Sequence, residues 1–466
     1  MGEQSIRFLR ESTKVSFDIG HRNKIKFNIG KYDVAVQKGM LRYTDVELAK
    51  KRAAFKKRQV LSNLPELLEE FEKNALKRGV EVFWASTSED ALKKIESVVD
   101  AIGAKMIVKS KSMTTEEIGL NEHLEHIGVV NWETDLGEFI VQVAGEKPYH
   151  IVTPAMHKSK EDIDKLFHEK FSTPEGSTPE ELTLFVRGYL REKFCDAGIG
   201  VTGANFLIAD SGSICVTENE GNGLFSASFP SLHIVVAGIE KIIPSVNDLG
   251  LFWPLLAAHG TGQQLTVYNS IFSAAKRNNE TDGPERMIVI LLDNGRSKLY
   301  AQEHLYQGLS CIRCGACLNG CPIYKNVGGY TYASTYSGPI GSVITPHFNG
   351  FEPFKHLSFA STLCGKCGEV CPVKIPLPEL LLYNRHLSIE QGLYGFKEKF
   401  ISKVGTTVLM SRNKIDLVRG KNKQYFASLF LKKSLGESKA FPNISKSSFS
   451  EQWVKAKGKL NNNDNN

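Results

Sequence analysis

The chain has 466 residues, enough for two or three domains, and its 41% hydrophobic and 23% charged residues are typical of a globular protein rather than a fibrous or disordered one. The longest apolar run, near residues 249–258, falls well short of the roughly 20 residues that a membrane helix needs, and the N-terminal region lacks the apolar segment of an export signal. Nine cysteines in such a chain indicate a reducing compartment, so we expect a cytoplasmic protein that associates with a membrane only through partners.

Residues 1–45 show no clear pattern and are expected to be an N-terminal extension. From 46 to 300, predicted helices alternate with predicted strands, which indicates an α/β domain around a largely parallel sheet. The predicted helices are 45–78, 88–101, 159–167 and 179–195. The predicted strands are 80–84, 105–109, 150–153, 204–209, 213–217, 232–237 and 287–292.

Gly198, Gly200 and Gly203 match the G-x-G-x-x-G pattern of dinucleotide-binding proteins, and Glu218 follows at the distance where such proteins carry an acidic residue. That site requires a strand before the glycines and a helix after them, so that the pyrophosphate meets the helix N-terminus. Here a predicted helix precedes the glycines and a strand follows. We therefore interpret the pattern as a glycine-rich turn and expect no nucleotide there.

Two pairs of carboxylates in the α/β domain are candidates for acid–base chemistry. Asp135 and Glu138 would share one face of a helix, but Gly137 between them favours a solvated turn. Glu218 and Glu220 follow a predicted strand and could face a pocket, although an ordinary acidic turn explains them equally well. No catalytic residue is assigned from the sequence.

Four further residues are expected to be structural. His150 and His157 flank a predicted strand and a predicted helix, where ligands often collect in α/β sheets, yet each alone is interpreted as a structural histidine. Cys195 and Cys215 lie outside the cysteine motifs and are expected to be small buried hydrophobic residues. The sequence contains no P-loop, no G-x-S-x-G and no two-histidine zinc motif.

The strongest chemical signal is a pair of cysteine motifs that begin at Cys311 and Cys364. The first is C-x2-C-x2-C-x3-C-P, the spacing of bacterial ferredoxins, in which the fourth cysteine ligates the other cluster. Applied to both motifs, this rule assigns cluster 1 to Cys311, Cys314, Cys317 and Cys371, and cluster 2 to Cys321, Cys364 and Cys367. Zinc fits this spacing poorly, and disulfides would need an oxidising compartment.

Cluster 2 lacks one cysteine, and the vacant position falls at Ser361. It is therefore either a [4Fe–4S] cluster whose fourth ligand is Ser361, water or a partner's residue, or a [3Fe–4S] cluster. Pro322 and Pro372 each follow the last cysteine of a motif and favour a helix start. Residues 301–385 are thus predicted to be an α-helical two-cluster ferredoxin module that passes single electrons between partners.

The last segment, 386–466, is a basic extension. Residues 395–466 hold 15 Lys and Arg against 5 Asp and Glu, a local charge of +10, so the first 394 residues carry −3 of the total +7. Without interleaved aromatic residues or a binding motif, this charge favours a docking surface or solvated arm over nucleic-acid binding. The asparagine-rich end, 460–466, is expected to be disordered.

Several stretches of this sequence resemble the lactate-utilisation protein B family, iron–sulfur subunits of a three-protein L-lactate oxidation system. Besides the cysteine motifs, these stretches are 109–121, 133–138, 200–205, 220–222, 339–344 and 371–376, and the similarity extends from about residue 48 to 389. The resemblance implies a lactate-utilisation domain related to sugar-phosphate isomerases and CoA transferases (a NagB/RpiA/CoA-transferase-like fold), followed by a ferredoxin module. It also favours two [4Fe–4S] clusters.

The function that the resemblance implies is a non-catalytic electron-transfer subunit of a system that converts L-lactate to pyruvate. The other subunits and an unidentified electron acceptor would be its partners. Two alternatives stay open. One is an iron–sulfur subunit of a related 2-hydroxyacid or glycerol-3-phosphate dehydrogenase that passes electrons to quinone. The other is an enzyme acting on a CoA ester or sugar phosphate, with structural clusters.

Overall fold

The computed structural model describes residues 2–393, 395–416, 422–425, 427–429 and 443–463. Their strands are β1 (Glu81–Ala85), β2 (Met106–Lys109), β3 (Val130–Glu133), β4 (Ile199–Thr202), β5 (Phe206–Ile208), β6 (Ser213–Glu218), β7 (Leu232–Gly238), β8 (Ile242–Ile243), β9 (Tyr268–Phe272) and β10 (Arg286–Leu292). Five short 3-10 helices cover Ile239–Lys241, Val246–Asp248, Tyr306–Ser310, Tyr330–Tyr332 and Lys355–Phe359 in the same described ranges.

The helices fall into three groups along the chain. The first ten are α1 (Glu3–Phe17), α2 (Ile19–Met40), α3 (Val46–Ser62), α4 (Leu64–Lys77), α5 (Ser88–Ile102), α6 (Met113–Ile118), α7 (Leu120–His126), α8 (Leu136–Val143), α9 (Lys160–Phe171) and α10 (Pro179–Asp196). The next nine are α11 (Asn222–Ser228), α12 (Leu249–Gly260), α13 (Arg296–Tyr300), α14 (Ala316–Gly320), α15 (Pro322–Val327), α16 (Gly338–Phe348), α17 (Phe351–Phe354), α18 (Lys366–Glu369) and α19 (Leu377–Glu390). The last three are α20 (Phe396–Leu409), α21 (Arg412–Asp416) and α22 (Phe449–Asn463).

The α/β core is a sheet of six parallel strands in the order β1-β10-β7-β4-β2-β3, as far as the described residues go. Its central strands β7 and β10 are buried on both faces and apolar except for His233 and the exposed Arg286 at the start of β10. In β10, Ile288 and Ile290 pack on one side with α5 and α7, whereas Val289 and Leu291 pack on the other side with α4. This alternation follows from the two-residue period of a strand. The predicted parallel α/β domain is confirmed in this coarse form.

A smaller sheet, in the order β8-β5-β6-β9, lies beyond the end of β4. The predicted strands 204–209 and 213–217 correspond to β5 and β6, which form an antiparallel hairpin that pairs Phe206 with Cys215. The glycine pattern does not form a strand-to-helix turn, because Gly200 lies inside β4. A Cβ atom there would lie 1.6 Å from the carbonyl oxygen of Ser226 in α11. Gly200 therefore permits close packing of this helix on the sheet.

One predicted strand is wrong. Residues 150–153 form bends instead of a strand. His150 Nδ1 accepts hydrogen bonds from the amides of Val152 and Thr153 at 3.1 and 3.2 Å, which curls the backbone. The same bend packs against Gly315 of the first cysteine motif. The conformation of residues 150–153 thus depends on a contact with a distant part of the chain, and the local apolar pattern does not determine it.

Residues 301–388 consist of short helices, 3-10 turns and loops, and α1, α2 and α3 pack against them. Phe8 of α1 makes an edge-on contact with Tyr332, and Asp33 of α2 pairs with Lys325 at 2.9 Å. The region treated as an N-terminal extension is therefore two helices that cover the cysteine-bearing segment. This explains why its apolar residues showed no pattern of a separate domain.

The compact unit ends at Ser388, and residues 389–466 form a second unit. Its described helical residues beyond the shared α19 are those of α20, α21 and α22 together with 422–425 and 427–429. Helix α22 reaches Asn463, so four of the residues expected to be disordered are helical, and residues 464–466 lie outside the described part. No helix in the described ranges combines the length and apolar character that a bilayer crossing requires.

Candidate iron–sulfur centre and adjoining cavity

The first cysteine motif forms a tight loop before α14. Arg313 and Gly315 have positive φ angles of 61° and 79° and turn the backbone sharply. Cys311 Sγ accepts a hydrogen bond from the Arg313 amide at 3.4 Å. Amide donors aimed at cysteine sulfur are a means by which proteins stabilise the charge of an iron–sulfur cluster.

Four cysteines from two separate motifs line one small cavity, which we call the cysteine cavity. They are Cys311, Cys314, Cys317 and Cys371. Cys371 Sγ also accepts a hydrogen bond from the Ile375 amide at 3.3 Å. The structure therefore brings the last cysteine of the second motif to the first three of the first motif, the grouping predicted for cluster 1.

The second group contains the three cysteines predicted for cluster 2. Burial raises the pKa of Cys321, and the negative charge of Cys364 raises it further. Burial likewise raises the pKa of Cys367 to about 11, and the charges of Cys321 and Cys364 add to this effect. The packing agrees with this grouping, because α14, which ends just before Cys321, contacts α18, which contains Cys367.

The donor chemistry of both groups suits metal clusters. Burial raises the pKa of Cys371 to about 11 and raises that of Cys314 and Cys317 as well, and neighbouring thiolates reinforce the shift for the last two. Several crowded, buried thiols become thiolates together only beside a strongly positive centre. Iron–sulfur clusters provide such a centre, and amide donors already point at the sulfur atoms.

Ser361 occupies the position in the second motif that Cys311 occupies in the first. Ser361 Oγ accepts a hydrogen bond from the Leu363 amide at 3.1 Å, as Cys311 Sγ does from the Arg313 amide. Leu363 has a positive φ of 55°, close to the 61° of Arg313. In each loop a cysteine and then a glycine follow, and the glycines of both loops have φ angles in the left-handed region. The two loops are therefore equivalent in conformation.

The two cysteine groups differ in their access to solvent. Cys314 and Cys371 are buried, whereas Cys364 is exposed and Ser361 is half-buried. The first group lies against the α/β domain and contains no exposed cysteine, whereas the second group reaches the surface at Cys364, although Cys321 and Cys367 are buried. A partner protein could thus approach the second group more closely than the first.

A buried ion network joins the first cysteine loop to the α/β domain. Arg313 Nη2 lies 3.2 Å from Glu240 Oε1, and Arg296 Nε donates to Glu240 Oε2 at 2.6 Å. Arg296 also donates to both carboxylate oxygens of Glu117, at 2.8 and 2.7 Å. Burial opposes the charge of Glu240, but Arg296 and Arg313 outweigh it and lower its pKa to about 2.

A second cavity, of about 390 Å³, lies at the carboxyl ends of β2, β3 and β4, and we call it the strand-end cavity. Ligands of open α/β sheets commonly bind at this edge. The charged residues that line it are Lys111, Asp135, Glu218, Glu220, Lys241 and Arg313. Ile151, Arg313 and Cys314 line both this cavity and the cysteine cavity, so the two are adjacent.

Glu218 and Glu220 face the strand-end cavity, so the interpretation as an ordinary acidic turn is insufficient. Glu218 accepts hydrogen bonds from the amides of Gly223 and Leu224 at 2.6 and 2.7 Å. Burial raises the pKa of Glu218 despite these donors. Burial and the charge of Asp135 raise the pKa of Glu220 to about 7.

Asp135 and Glu138 do not form an acid–base pair, and their segment is not a solvated turn. Asp135 caps α8 by accepting a hydrogen bond from the Glu138 amide at 3.0 Å. The Glu138 side chain is buried in a group with Lys109, Glu116 and Glu133. Lys109 Nζ lies 2.7 Å from Glu133 Oε1 and 3.0 Å from Glu116 Oε1. Burial opposes the charge of Lys109, but these carboxylates outweigh it and raise its pKa.

The two histidines have structural partners, and the two isolated cysteines differ from each other. Burial lowers the pKa of His150 to about 3, and its ring holds the bend at 150–153. His157 Nε2 lies 2.6 Å from Glu146 Oε2. Cys215 is buried as expected, but Cys195 is exposed on α10, so the expectation of burial was wrong there.

The sequence interpretation missed the ion network and the cationic side of the cavity. Glu117, the adjacent pair Glu240 and Lys241, and Arg296 come from three distant parts of the sequence and match no motif. One signal was present: Glu240 and Lys241 interrupt an apolar stretch between β7 and β8. Charged residues inside such a stretch are rarely buried unless they have partners.

Comparisons with known proteins agree with this organisation. Residues 68–292 match the LUD domain family, and residues 307–375 match the 4Fe-4S dicluster domain family. The chain is 46% identical over 349 residues to proteins called lactate utilization protein B from Bacillus thuringiensis (strain Al Hakam), Bacillus cereus (strain AH187) and Bacillus anthracis (strain A0248). In each case the match covers 75% of this chain and 73% of the relative.

A solved structure of a DUF162 family protein from Deinococcus radiodurans is similar to 49% of this chain and 98% of its own length. The identity is 16% and the TM-score 0.29. At that TM-score the two folds share too little to support an argument.

Proposed function

Because this chain belongs to the lactate utilization protein B family, we propose that it is the iron–sulfur electron-transfer subunit of a multi-protein system that oxidises L-lactate to pyruvate. The relatives' name indicates a role in lactate utilization. The conversion to pyruvate, the other subunits and the electron acceptor are part of the proposal. We place the system in the cytoplasm, with contact to a membrane only through partners.

The observation that carries this proposal is the crosswise grouping of the seven motif cysteines. Cys371 lies with the first motif, and Cys321 lies with the second, which is the arrangement of two-cluster ferredoxins. We propose that Cys311, Cys314, Cys317 and Cys371 hold one [4Fe–4S] cluster. Cys321, Cys364 and Cys367 would hold the second. When bound, such clusters supply one-electron transfer.

We propose Ser361 as the fourth ligand of the second cluster. Its hydroxyl oxygen occupies the place of a cysteine sulfur in an equivalent loop, which supports a direct bond to iron. Because this group is the more exposed of the two, we also propose that partners exchange electrons with the protein at this face.

Finer features of the fold belong to the same proposal. We assign residues 1–45 to an N-terminal extension, 46–300 to the lactate-utilisation domain, 301–385 to the ferredoxin module and 386–466 to a C-terminal extension. The parallel sheet supports kinship of the second region with the NagB/RpiA/CoA-transferase group, and the short helices of the third support an α-helical ferredoxin.

Complementation of a deletion strain tests this function. A strain that lacks the gene should grow on glucose but not on L-lactate, and the intact gene should restore growth. Genes carrying Cys311→Ser or Cys364→Ser should fail to restore it, whereas Cys195→Ser should succeed because Cys195 lies outside both groups. Full growth on L-lactate with either motif variant would contradict electron transfer through the clusters.

A further inference from the structure

We infer that the strand-end cavity binds a small organic carboxylate, whose carboxylate group meets Arg313 and Lys241 beside the first cysteine group. This inference rests on the proposed function, because L-lactate belongs to that chemical class. It adds a binding site that family membership does not assign, and it places the ligand next to Cys314, which lines both cavities.

Two buried positive groups at the cavity have unused hydrogen-bonding capacity. Arg313 Nη1 is buried without a hydrogen-bond partner among the described residues. The Lys241 side chain is part of a residue only 8% exposed, and within the described ranges its ammonium makes neither a hydrogen bond nor an ion pair. A buried donor without an acceptor is costly, so such groups normally have partners. An anion in the cavity would provide acceptors for both.

The carboxylates of the ion network do not neutralise all of the positive charge around Arg313 and Lys241. Glu117 and Glu240 are its two carboxylates, and Arg296 and Arg313 are its two cations. Lys57 and Lys241 are two further cations buried near Glu240. Lys57 is satisfied by the carbonyl oxygen of Glu240 at 2.8 Å. Lys241, in contrast, lines the strand-end cavity and not the cysteine cavity.

The lining favours a carboxylate over a phosphate. Arg313 and Lys241 lie beside Glu240 and Cys311, whereas Asp135, Glu218 and Glu220 interact with one another, and Lys111 of the lining interacts with Glu220. The cavity thus has a cationic end and an acidic end. Two free donors suit the two oxygens of a carboxylate, and the acidic end would repel the additional charge of a phosphate dianion. It would also accept a hydrogen bond from a hydroxyl group.

Calorimetric titration of the full-length protein, purified without oxygen and with its clusters intact, tests the inference. The probes are L-lactate, pyruvate, acetate and inorganic phosphate at pH 7. L-lactate should bind once per chain and should be displaced by pyruvate. Lys241→Met should weaken L-lactate binding by about tenfold or more, because it removes a charged hydrogen bond.

Lys57→Met is the matched control. It removes an equally buried positive charge beside Glu240, but outside the cavity lining, and should change affinity by less than about threefold if contact rather than the general field decides binding. Equal losses in both variants would contradict direct contact with Lys241. Phosphate binding in preference to all three carboxylates would overturn the assigned ligand class.

Iron content and the EPR spectrum of each sample separate this inference from the proposed function. Intact clusters without carboxylate binding would overturn the cavity inference alone, whereas absent clusters would overturn the proposed function. If Lys241→Met fails to fold, Lys241→Gln replaces it. Saturating L-lactate should also perturb the wild-type EPR spectrum, because the ligand would lie beside Cys314, and an unchanged spectrum would count against the site.

Discussion

Ser361 and Cys311 occupy equivalent positions in two loops of the same conformation, one with a hydroxyl oxygen and the other with a sulfur atom. Each accepts a hydrogen bond from the amide two residues ahead, at 3.1 and 3.4 Å respectively. The second loop therefore lacks a thiolate without losing the geometry that would direct a ligand. A harder oxygen ligand at an exposed cluster would make one iron easier to lose.

Replacement of Ser361 tests its role at the second cluster. We expect Ser361→Ala to lose one iron on brief exposure to air and to gain a [3Fe–4S] EPR signal, since the remaining protein ligands are three thiolates. Ser361→Cys should suppress that signal below the wild-type level, because a fourth thiolate binds iron more tightly. The neighbouring, exposed Thr362→Ala is the control and should behave as wild type. Identical air sensitivity in all four proteins would show that Ser361 is not a ligand.

Single replacements of the last cysteine of each motif test the crosswise grouping. We expect Cys371→Ser to lose the same EPR signal as Cys314→Ser, although the two residues belong to different motifs. By the same reasoning, Cys321→Ser should lose the same EPR signal as Cys364→Ser. Cys195→Ser should retain both signals. The grouping is wrong if Cys371→Ser instead matches Cys364→Ser.

Neutralising Glu240 should destabilise the protein. Glu240→Gln leaves Arg296 and Arg313 with less negative charge around them, and breaking a buried ion pair costs about 3–5 kcal/mol in the free energy of unfolding. Glu81→Gln breaks an exposed pair with Arg286 and should cost about 1 kcal/mol or less. Urea unfolding at pH 7 measures both. Equal effects would mean that the buried network contributes no more than a surface pair.

The effect of Glu240 should not vary between pH 8 and pH 5. Its pKa is lowered from the ordinary 4.5 to about 2, so the stabilisation is complete above about pH 4.5 and is lost only as the pH falls from there towards 2. The difference in unfolding free energy between wild type and Glu240→Gln should therefore be constant over the neutral range. A difference that shrinks between pH 7 and pH 5 would indicate a much higher pKa.

Replacement of Gly200 tests whether the glycine pattern serves helix packing, which we expect to see as a loss of stability. Gly200→Ala places a Cβ atom 1.6 Å from the Ser226 carbonyl oxygen and should lower the free energy of unfolding by about 3 kcal/mol or more. Gly250→Ala is the control, because nothing lies within 4 Å of its Cβ position in α12, and it should be neutral or stabilise by up to about 1 kcal/mol. Urea midpoints measure both. A tolerated Gly200→Ala would contradict the close approach of α11 to β4.

The sheet was predictable where local pattern and burial agree. Strand β10 is a continuous apolar run after Arg286, and β7 is apolar except for His233; a strand covered on both faces needs no other signal. The bend at His150 was not predictable, because its side chain bonds its own following amides and its shape is set against Gly315, far along the chain. Helices α1 and α2 escaped notice because few of their apolar residues are covered: α1 has no fully buried residue, and α2 buries only Ile25, Ile29 and Gly39.

The candidate site, like the fold, has features that could be predicted from the sequence and features that could not. The crosswise grouping of the motif cysteines was predicted from the ferredoxin spacing, in which the last cysteine of each motif serves the other cluster, and Cys371 does line the cysteine cavity with the first three. The ion pair between Arg313 and Glu240 joins residues 73 positions apart, and no local sequence pattern predicts it. Glu138 was misjudged because Gly137 weakened the helical interpretation, although Asp135 is a good helix cap. Tertiary contacts determine these features.

Metal analysis of protein purified without oxygen tests the central claim most directly. If two clusters are bound crosswise, each chain should contain about eight iron atoms and about eight acid-labile sulfides, and reduction should produce the EPR signals of two [4Fe–4S] centres. Stoichiometric zinc, or a colourless protein without iron, would contradict the account.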